Sequence, residues 1–266
     1  MRFAETIRNV HPGAKEIALF FIAQAGFCIK TSTGKRIFID PYLSNACERL
    51  FGFKRMIPAV LGAEEVEADL YLVTHHHADH LDPDTMPVVV KNPSTMFIIA
   101  PDCKALLDEL GLPTERYRVL RDGDDFHTDE ISIRAIYADH GDLAPEAVGY
   151  FIEVDGIRIY HAGDTALRVQ EILASLKSPI DILIAPINGQ YGNMNVEEAC
   201  NLALEIKPKI VIPSHYWMFL EHVSENGAGD PATFLKEASR FPENIKAKVM
   251  APGEHFIYSN TKASVA

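Results

Sequence analysis

The chain has 266 residues, 47% of them hydrophobic and 23% charged, and its 37 acidic and 25 basic side chains give a formal net charge of −12. At this length a single core can bury roughly 70% or more of the unfolded surface, so folding requires neither disulfides nor a structural metal. The negative net charge argues against a protein that binds nucleic acid through a basic surface, because such binding depends on Lys and Arg.

Cysteine spacing and the N-terminal sequence exclude two further classes. The four cysteines form no C-x-x-C pair, which argues against a zinc knuckle or a dithiol redox couple. No apolar segment follows the charged first residues, and the longest apolar run, residues 17–29, is too short to span a bilayer. We therefore expect a cytoplasmic, reduced protein with no membrane partner.

Short β-branched or aromatic runs alternate with helical patterns along the chain, which indicates an α/β fold. The first strand pair is expected at residues 17–29 and 35–40, around a turn at 31–34. Further strands are predicted at residues 69–74, 95–100, 131–137, 149–154, 157–161, 180–186 and 209–213. Helices are predicted at residues 103–110, 165–177, 196–207 and 231–240.

Two of these helices have clear start signals. Asn195 and Glu198 form a capping box before the third helix, and Asp230 precedes Pro231 at the start of the fourth.

A faint internal repeat links the two halves of the chain. FCIKTSTGKRIFIDP, residues 27–41, resembles YFIEVDGIRIYHAGD, residues 150–164, in having a strand, a glycine turn, a second strand and an aspartate. Chance similarity between two such short segments is an equal alternative. No linker-like segment divides the chain, so we expect one domain over residues 1–266, built from two similar halves that face a shared site.

The most informative segment is THHHADH, residues 74–80, which follows a predicted strand. Alternate positions on an extended loop project to one side, so His75 and His77 can reach one metal ion while Asp79 and His80 turn toward a second. With this composition, H-x-H-x-D-H is expected by chance in about one chain in a thousand of this length, so the segment is not a random group of loop histidines. Imidazole and carboxylate ligands suit a pair of divalent zinc, manganese or iron ions.

Two ions with open coordination positions need more ligands than one loop supplies. His140, in ADHG, Asp164, in HAGDT, and His215, in PSHYW, each follow a predicted strand. Strand ends are the usual location of active sites in α/β proteins, so we expect these three residues to join the same site. The glycine before Asp164 allows a tight turn that frees the carboxylate to bridge two ions.

In this order, THHHADH, ADHG, HAGDT and PSHYW resemble the motifs of the metallo-β-lactamase superfamily. AQAGFCIKTSTGKRIFIDPYLS and KPKIVIPSHYW are similar to the branch that includes the L-ascorbate-6-phosphate lactonases. The likeness runs from about residue 17 to residue 258. It implies a four-layer αββα sandwich, in which two mixed sheets pack face to face, helices lie outside, and the metals occupy a cleft at one sheet edge.

The resemblance also implies a role for each motif residue. Two metal sites are joined by one bridging carboxylate: His75, His77 and His140 form the first site, Asp79, His80 and His215 the second, and Asp164 the bridge. In the ascorbate-phosphate lactonases the position of His140 is not reliably histidine. Its presence here favours a two-metal site.

Two further residues are expected to support the ligands. Asp40 matches the superfamily's acidic residue that orients a ligand imidazole, and a simple Asp-Pro turn at the strand end is an equal alternative. His161 is predicted either to support a ligand or to face the substrate.

The reaction implied by this site is hydrolysis by a metal-activated water. Asp79 is predicted to hold the second ion and to steer the proton of the nucleophile. No G-x-S-x-G motif supplies a serine nucleophile. A lactone or sugar-phosphate lactone is the first choice of substrate; a metal-dependent phosphodiesterase and a non-catalytic metal-bound scaffold that binds a metabolite are the alternatives.

Substrate contacts are predicted for Asn188, Tyr216 and Trp217, polar and aromatic residues at strand ends that could equally pack their own loops. Arg168 is the cation nearest in sequence for a sugar phosphate, although a solvated helix arginine is the simpler interpretation. The expected cofactors are two divalent ions, zinc or manganese, with iron as a third choice, and the expected partner is a small-molecule substrate. Exposed sheet edges are compatible with a homo-oligomer.

Overall fold

Two mixed β-sheets, each of seven strands, form the centre of the molecule. The structure is a computed structural model that describes residues 2–176, 178–223 and 229–260. In this part of the chain, no helix is long and apolar enough to cross a membrane.

The strands and helices alternate through most of the chain. The strands are β1 (Glu16–Ala23), β2 (Gly26–Lys30), β3 (Arg36–Ile39), β4 (Leu70–Val73), β5 (Met96–Ile99), β6 (Tyr117–Val119), β7 (Asp125–His127), β8 (Ile131–Tyr137), β9 (Val148–Val154), β10 (Ile157–His161), β11 (Ile182–Pro186), β12 (Ile210–Ser214), β13 (Lys246–Ala247) and β14 (His255–Ser259). The α-helices are α1 (Phe3–Asn9), α2 (Ala46–Phe51), α3 (Met86–Val89), α4 (Lys104–Glu109), α5 (Val169–Leu176), α6 (Val196–Ile206), α7 (Leu220–Val223) and α8 (Pro231–Glu237).

The two sheets share one pairing pattern. The first has the order β14-β1-β2-β3-β4-β5-β6 and the second the order β7-β8-β9-β10-β11-β12-β13. In each, the first three pairings are antiparallel and the last three are parallel. The parallel strands end at the same edge of each sheet, which is where ligand-binding loops gather in such folds.

The sheets pack face to face over one apolar core, and helices cover the outside. β4, β5, β9 and β11 are almost entirely buried, as expected for strands covered on both faces. Tyr150 of β9 crosses the layer and donates a hydrogen bond to the carbonyl of Val73 at 2.8 Å. α5 packs on β8, and α6 packs on β11 with α8 beside it. The predicted αββα sandwich is confirmed.

The apolar run at residues 17–29 forms two strands, where the sequence predicted one. The chain turns at Gln24, which has a φ of +55°, so β1 and β2 form a tight antiparallel pair. A Cβ at Gly26 would lie 3.0 Å from the Ala23 carbonyl and 3.2 Å from the Cα of Pro41, so the turn requires glycine there. Hydrophobicity alone did not reveal this turn because the residues on both sides of it are buried.

The helix predicted at residues 165–177 begins only at Val169. Before it, Thr165 accepts a backbone hydrogen bond from Met194, its hydroxyl accepts one from the Asp139 amide, and Ala166 donates to the Asp139 carbonyl. These contacts hold residues 165 and 166 in a non-helical path. The predicted end at Lys177 lies outside the described residues.

The other helices agree more closely with the prediction. Both predicted start signals are confirmed, since Asn195 accepts from the Glu198 amide and Asp230 accepts from the amides of residues 232 and 233. The last helix changes to a 3-10 turn after Glu237. Helices α1, α2, α3 and α7, of four to seven residues each, were not predicted.

Candidate metal centre

Four strand ends supply the predicted metal ligands. The loop after β4 carries His75, His77, Asp79 and His80, and the segments after β8, β10 and β12 carry one ligand each. The structure brings all seven predicted ligands together in one largely buried cluster: His75, His77, Asp79, His80, His140, Asp164 and His215.

Three imidazoles form the first ligand group. Nδ1 of His77 lies 3.0 Å from Nε2 of His75 and 3.3 Å from Nε2 of His140. On the outer side of its ring, Nε2 of His77 donates to the Leu143 carbonyl at 3.2 Å, so Nδ1 is the nitrogen that faces the group. Tetrahedral zinc at 2.0–2.1 Å from each nitrogen requires nitrogens about 3.3 Å apart, which agrees with this spacing.

A carboxylate and two imidazoles form the second group. Nε2 of His215 lies 3.4 Å from Oδ2 of Asp79, and Nε2 of His80 lies 3.8 Å from the same oxygen. His215 has a φ of +56°, and its backbone amide donates to the Gln24 carbonyl at 2.8 Å, so the chain turns sharply after β12 and places the ring in the cluster.

Asp164 lies between the two groups. Its Oδ1 is 3.4 Å from Nε2 of His80, and its Oδ2 is 3.3 Å from His215 and 3.7 Å from His140. The side-chain amide of Asn193 donates to this Oδ2 at 2.7 Å and fixes the orientation of the Asp164 carboxylate. Gly163 has a φ of +63°, and a Cβ there would lie 3.0 Å from the Thr74 side chain. Glycine therefore permits the tight turn that delivers Asp164.

The two groups differ in charge. Burial lowers the pKa of His75, His77 and His140, to about 4 for His140, so these rings are neutral near pH 7. Burial by itself would lower the pKa of His215, but the carboxylates of Asp164 and Asp79 raise it to about 9. The three neutral rings of the first group can bind a divalent cation as they are, whereas His215 must first release its proton.

The hydrogen bonds of the cluster also indicate a metal centre, because some of its polar atoms lack a suitable partner. Among the described residues, Oδ1 of Asp164 is buried without a hydrogen-bond partner. Within the first group, ring nitrogens face one another at 3.0–3.3 Å with no carboxylate between them. Cations between these atoms would satisfy both features, so the cluster is able to hold metal ions.

Asp40 makes the contact that the resemblance predicted. Its Oδ2 accepts from Nδ1 of His80 at 2.8 Å and from the Thr74 hydroxyl at 2.6 Å, and its Oδ1 accepts from the Thr74 amide at 2.8 Å. All three residues are buried. This arrangement turns Nε2 of His80 toward the cluster.

His161 supports the backbone near the ligands and does not face the cavity. Its Nε2 donates to the Ala25 carbonyl at 2.8 Å, and its Nδ1 accepts from the Gly163 amide at 3.2 Å. The ring therefore connects the β1–β2 turn to the segment that carries Asp164.

Gln24, which was not predicted as a site residue, contacts the second ligand group. Its side-chain amide donates to Oδ2 of Asp79 at 2.8 Å and lies 3.2 Å from Nε2 of His80. The available signal was a glutamine within an otherwise apolar buried run. Asn193 and Leu143, which contact ligands from loops, gave no comparable signal.

The cluster opens into a cavity of about 670 Å³. His77, Asp79, His140, Asp164 and His215 reach its surface, and so does Asn188. The Asn188 side chain is 7% exposed, and its Oδ1 has no partner among the described residues.

The structure does not bring Tyr216 and Trp217 to the cavity. The Tyr216 hydroxyl donates to the Met250 carbonyl at 2.6 Å, and its ring packs against Phe21 in the core. Trp217 is 45% exposed and contacts Tyr216 edge-on. Both His215 and Trp217 have a positive φ, so the chain places three successive side chains in the cluster, the core and the solvent. The predicted substrate contacts of Tyr216 and Trp217 are corrected accordingly.

The family profile described as a beta-lactamase superfamily domain matches residues 18–215, a range that includes all seven cluster residues. The chain belongs to the metallo-β-lactamase superfamily. It is 32% identical to a UPF0173 metal-dependent hydrolase of Polynucleobacter asymbioticus, over 89% of this chain and 84% of the relative. A UPF0173 metal-dependent hydrolase of Pyrococcus furiosus is 30% identical over 90% of this chain and 98% of the relative.

Two solved structures share the fold. Igni18, a metallo hydrolase from Ignicoccus hospitalis, superposes with a TM-score of 0.71 and 24% identity over 92% of this chain and 99% of that chain. The isothiocyanate hydrolase from Delia radicum gut bacteria superposes with a TM-score of 0.73 and 22% identity, over 91% of this chain and 99% of that chain. At these identities the two structures show the fold alone. With its hydrolase relatives and its ligand cluster, this member of the metallo-β-lactamase superfamily is a metal-dependent hydrolase.

Proposed function

We propose that this metallo-β-lactamase superfamily hydrolase opens a lactone by hydrolysis, at a site that would hold two divalent ions. The observation that carries the proposal is the position of Asp164, whose carboxylate oxygens lie 3.3–3.7 Å from imidazoles of both ligand groups at the edge of the cavity. A carboxylate in this position can bridge two ions, and paired ions are a common device for hydrolysis.

The ligands favour zinc or manganese, with iron as a third choice, because all three accept imidazole and carboxylate. His75, His77 and His140 would hold one ion, Asp79, His80 and His215 the other, and Asp164 both. Bound there, such ions lower the pKa of a coordinated water from 15.7 toward ~7 and polarise a carbonyl oxygen.

Protein side chains would orient the reactants. Burial alone would raise the pKa of Asp79, but His80 and His215 lower it to about 2, so Asp79 is ionised at neutral pH and can accept a hydrogen bond from the attacking water. Gln24 holds one oxygen of this carboxylate. The buried amide of Asn188 faces the same cavity and can hydrogen-bond the substrate.

The cavity disfavours the sugar-phosphate form of the substrate. No lysine or arginine lines it among the described residues, and Arg168 is half-exposed on the surface, paired with Asp139 at 2.6 Å. A phosphate distant from the reacting carbonyl would therefore lack a cationic side chain. No observation specifically favours the phosphodiesterase or the non-catalytic scaffold.

The experiment supplies apo-protein separately with Zn²⁺, Mn²⁺ and Fe²⁺ and measures hydrolysis of δ-valerolactone and of bis-p-nitrophenyl phosphate. We expect lactone hydrolysis with at least one metal, abolished by chelator. His77→Ala should lower kcat/KM by about 100-fold or more, because it removes a central ligand.

His127→Ala is the matched control, because His127 is exposed on β7 and its ring hydrogen-bonds to the Ser132 hydroxyl. It should retain the wild-type rate. Turnover of the phosphodiester alone would support the phosphodiesterase alternative. Stoichiometric metal binding with no turnover of either compound would support the scaffold.

A further inference from the structure

Most of the cavity beyond the metal cluster is apolar. Its remaining surface includes Leu50 and Phe51 of α2, Phe53 just after it, Leu106 of α4, Leu143, and Phe219. The Phe53 ring centroid lies 6.0 Å from that of Phe51 and 5.8 Å from that of Phe219, so the aromatic side chains form a continuous row. Leu143 adjoins the metal centre directly, because its carbonyl accepts from His77.

Several of these side chains are left in contact with solvent. Of the ten large hydrophobic residues that are exposed in the described chain, four line this one cavity: Leu50, Phe51, Leu143 and Tyr191. Exposed apolar residues scattered singly are ordinary, whereas a concentration of them in one concave site marks a binding surface. An apolar ligand group would cover them and gain the free energy of their removal from water.

Charged side chains elsewhere in the cavity do not offer a second anchor. The acidic residue outside the cluster, Asp102, is paired with His76 at 2.8 Å. Arg55, on the chain segment that follows Phe53, lies over the Tyr42 ring and donates to the Ser44 carbonyl. The described cavity surface thus combines one polar centre with an apolar wall and contains no lysine or arginine.

We infer that the substrate is an uncharged molecule whose hydrolysable carbonyl is attached to an alkyl or aryl arm, and that this arm lies against Phe53, Leu143 and their apolar neighbours. This inference rests on the proposed hydrolysis and narrows its substrate class. The carbonyl occupies the metal centre, within reach of the Asn188 amide, while the arm displaces water from the wall. A sugar phosphate of the same length would place its charge against the apolar surface.

Straight-chain carboxylates test the wall without turnover, because each mimics the acid product of hydrolysis. The experiment titrates the Zn²⁺-loaded protein with butanoate, hexanoate and octanoate in a calorimeter, and with 6-phosphogluconate, the product of a sugar-phosphate lactone. Burial of a methylene contributes ~0.8 kcal/mol, which corresponds to about a fourfold lower Kd for each methylene that the wall covers. We expect Kd to fall along the series and octanoate to bind more tightly than 6-phosphogluconate. An unchanged Kd along the series, or tighter binding of 6-phosphogluconate, would overturn the inference.

Leu143→Ser tests whether this side chain belongs to the apolar wall that binds the alkyl chain, and Leu235→Ser is its matched control. Both leucines are 49% exposed, but Leu235 lies on α8 and does not line the cavity. Leu143→Ser should raise the Kd of octanoate by about fivefold or more and that of butanoate by less than twofold, while Leu235→Ser changes neither. Phe53→Ser should act like Leu143→Ser. Equal effects of the two leucine variants would contradict the assignment.

The result separates this inference from the proposed function. Chain-length-dependent binding without turnover of any lactone would contradict the function and leave the ligand class standing. Lactone turnover with a flat carboxylate series would leave the function standing and overturn the inference.

Discussion

The side chains around the cluster determine which atom of each ligand faces its centre. His77 donates outward to the Leu143 carbonyl, His80 donates to Asp40, and Asp79 accepts from Gln24. Each contact fixes a ring or carboxylate before any ion binds, and such support commonly raises metal affinity by 10–100-fold. The positions of the ligands therefore depend on residues that do not touch the metals themselves.

Asp40→Asn tests this support at a single residue. The amide keeps the shape of the side chain but removes the negative charge that holds Nδ1 of His80. We expect one of the two metal affinities to fall about 10–100-fold, measured by competition with a chromophoric chelator.

Asp155→Asn is a suitable control because Asp155 has a similar positive φ, +54° against +44° for Asp40, and caps a turn by accepting from Ser32. Its metal affinities should equal those of the wild type. Unchanged affinities in Asp40→Asn would show that the carboxylate does not orient His80.

The individual ligands were predictable because the histidine and aspartate side chains lie in short sequence motifs. His75 and His77 lie two positions apart on one loop, and Asp164 follows a glycine that its turn requires. The roles of Gln24 and Asn193 were not predictable, since both residues contact ligands that are distant in sequence. Tyr216 and Trp217 were misplaced because the positive φ of His215 and Trp217 redirects the chain after β12.

At the scale of elements, one buried carboxylate joins the metal-binding loop to the loop that follows β3. Asp82 accepts from the amides of Leu43, Ser44 and Thr85 and from the hydroxyls of Ser44 and Thr85, at 2.6–3.2 Å. A further bond comes from the Asp84 amide at 3.0 Å. These bonds set the path of the chain immediately after His80.

Asp82→Ala should destabilise the fold strongly. Several buried donors would lose their acceptor, and each buried group left unpaired costs about 1–3 kcal/mol. We expect the free energy of unfolding of the metal-free protein to fall by at least about 3 kcal/mol, measured by urea denaturation. Metal-free protein is used so that a change in metal affinity does not contribute.

The neighbouring variant Asp84→Ala is the control. Asp84 is exposed and pairs with Arg49 at the surface, where an ion pair contributes at most about 1 kcal/mol. A loss for Asp82→Ala no larger than that for Asp84→Ala would refute the structural role of Asp82.

The ends of the predicted strands were the most predictable feature of the fold, whereas β6, β7, β13 and β14 were not predicted. β8 and β10 have the predicted bounds, and the other predicted strands differ by one to two residues at their ends, apart from the run that divides into β1 and β2. Alternation and β-branched runs locate buried strands well. The shortened α5 was not foreseeable, because residues 139 and 194, which hold its expected first turn, are distant in sequence.

For the whole molecule, the metal centre joins the two sheets. The loop after β4 of the first sheet supplies four ligands, and the ends of β8, β10 and β12 of the second sheet supply the other three. Two divalent ions would reduce the formal net charge from −12 to −8 and would reverse the local potential at the carboxylates. The internal repeat, a cytoplasmic location and a homo-oligomeric state stay predictions.

The most direct test of the metal centre is elemental analysis after equilibrium dialysis against Zn²⁺ or Mn²⁺. The wild-type protein should bind two ions per chain, and Asp164→Ala should lose occupancy at both sites because one carboxylate serves both ligand groups. Asp125→Ala, which removes a carboxylate on β7 that pairs with Arg134 and is not one of the predicted ligands, should bind two ions per chain. Two ions per chain in Asp164→Ala, or fewer than two in the saturated wild type, would contradict a two-metal centre bridged by Asp164.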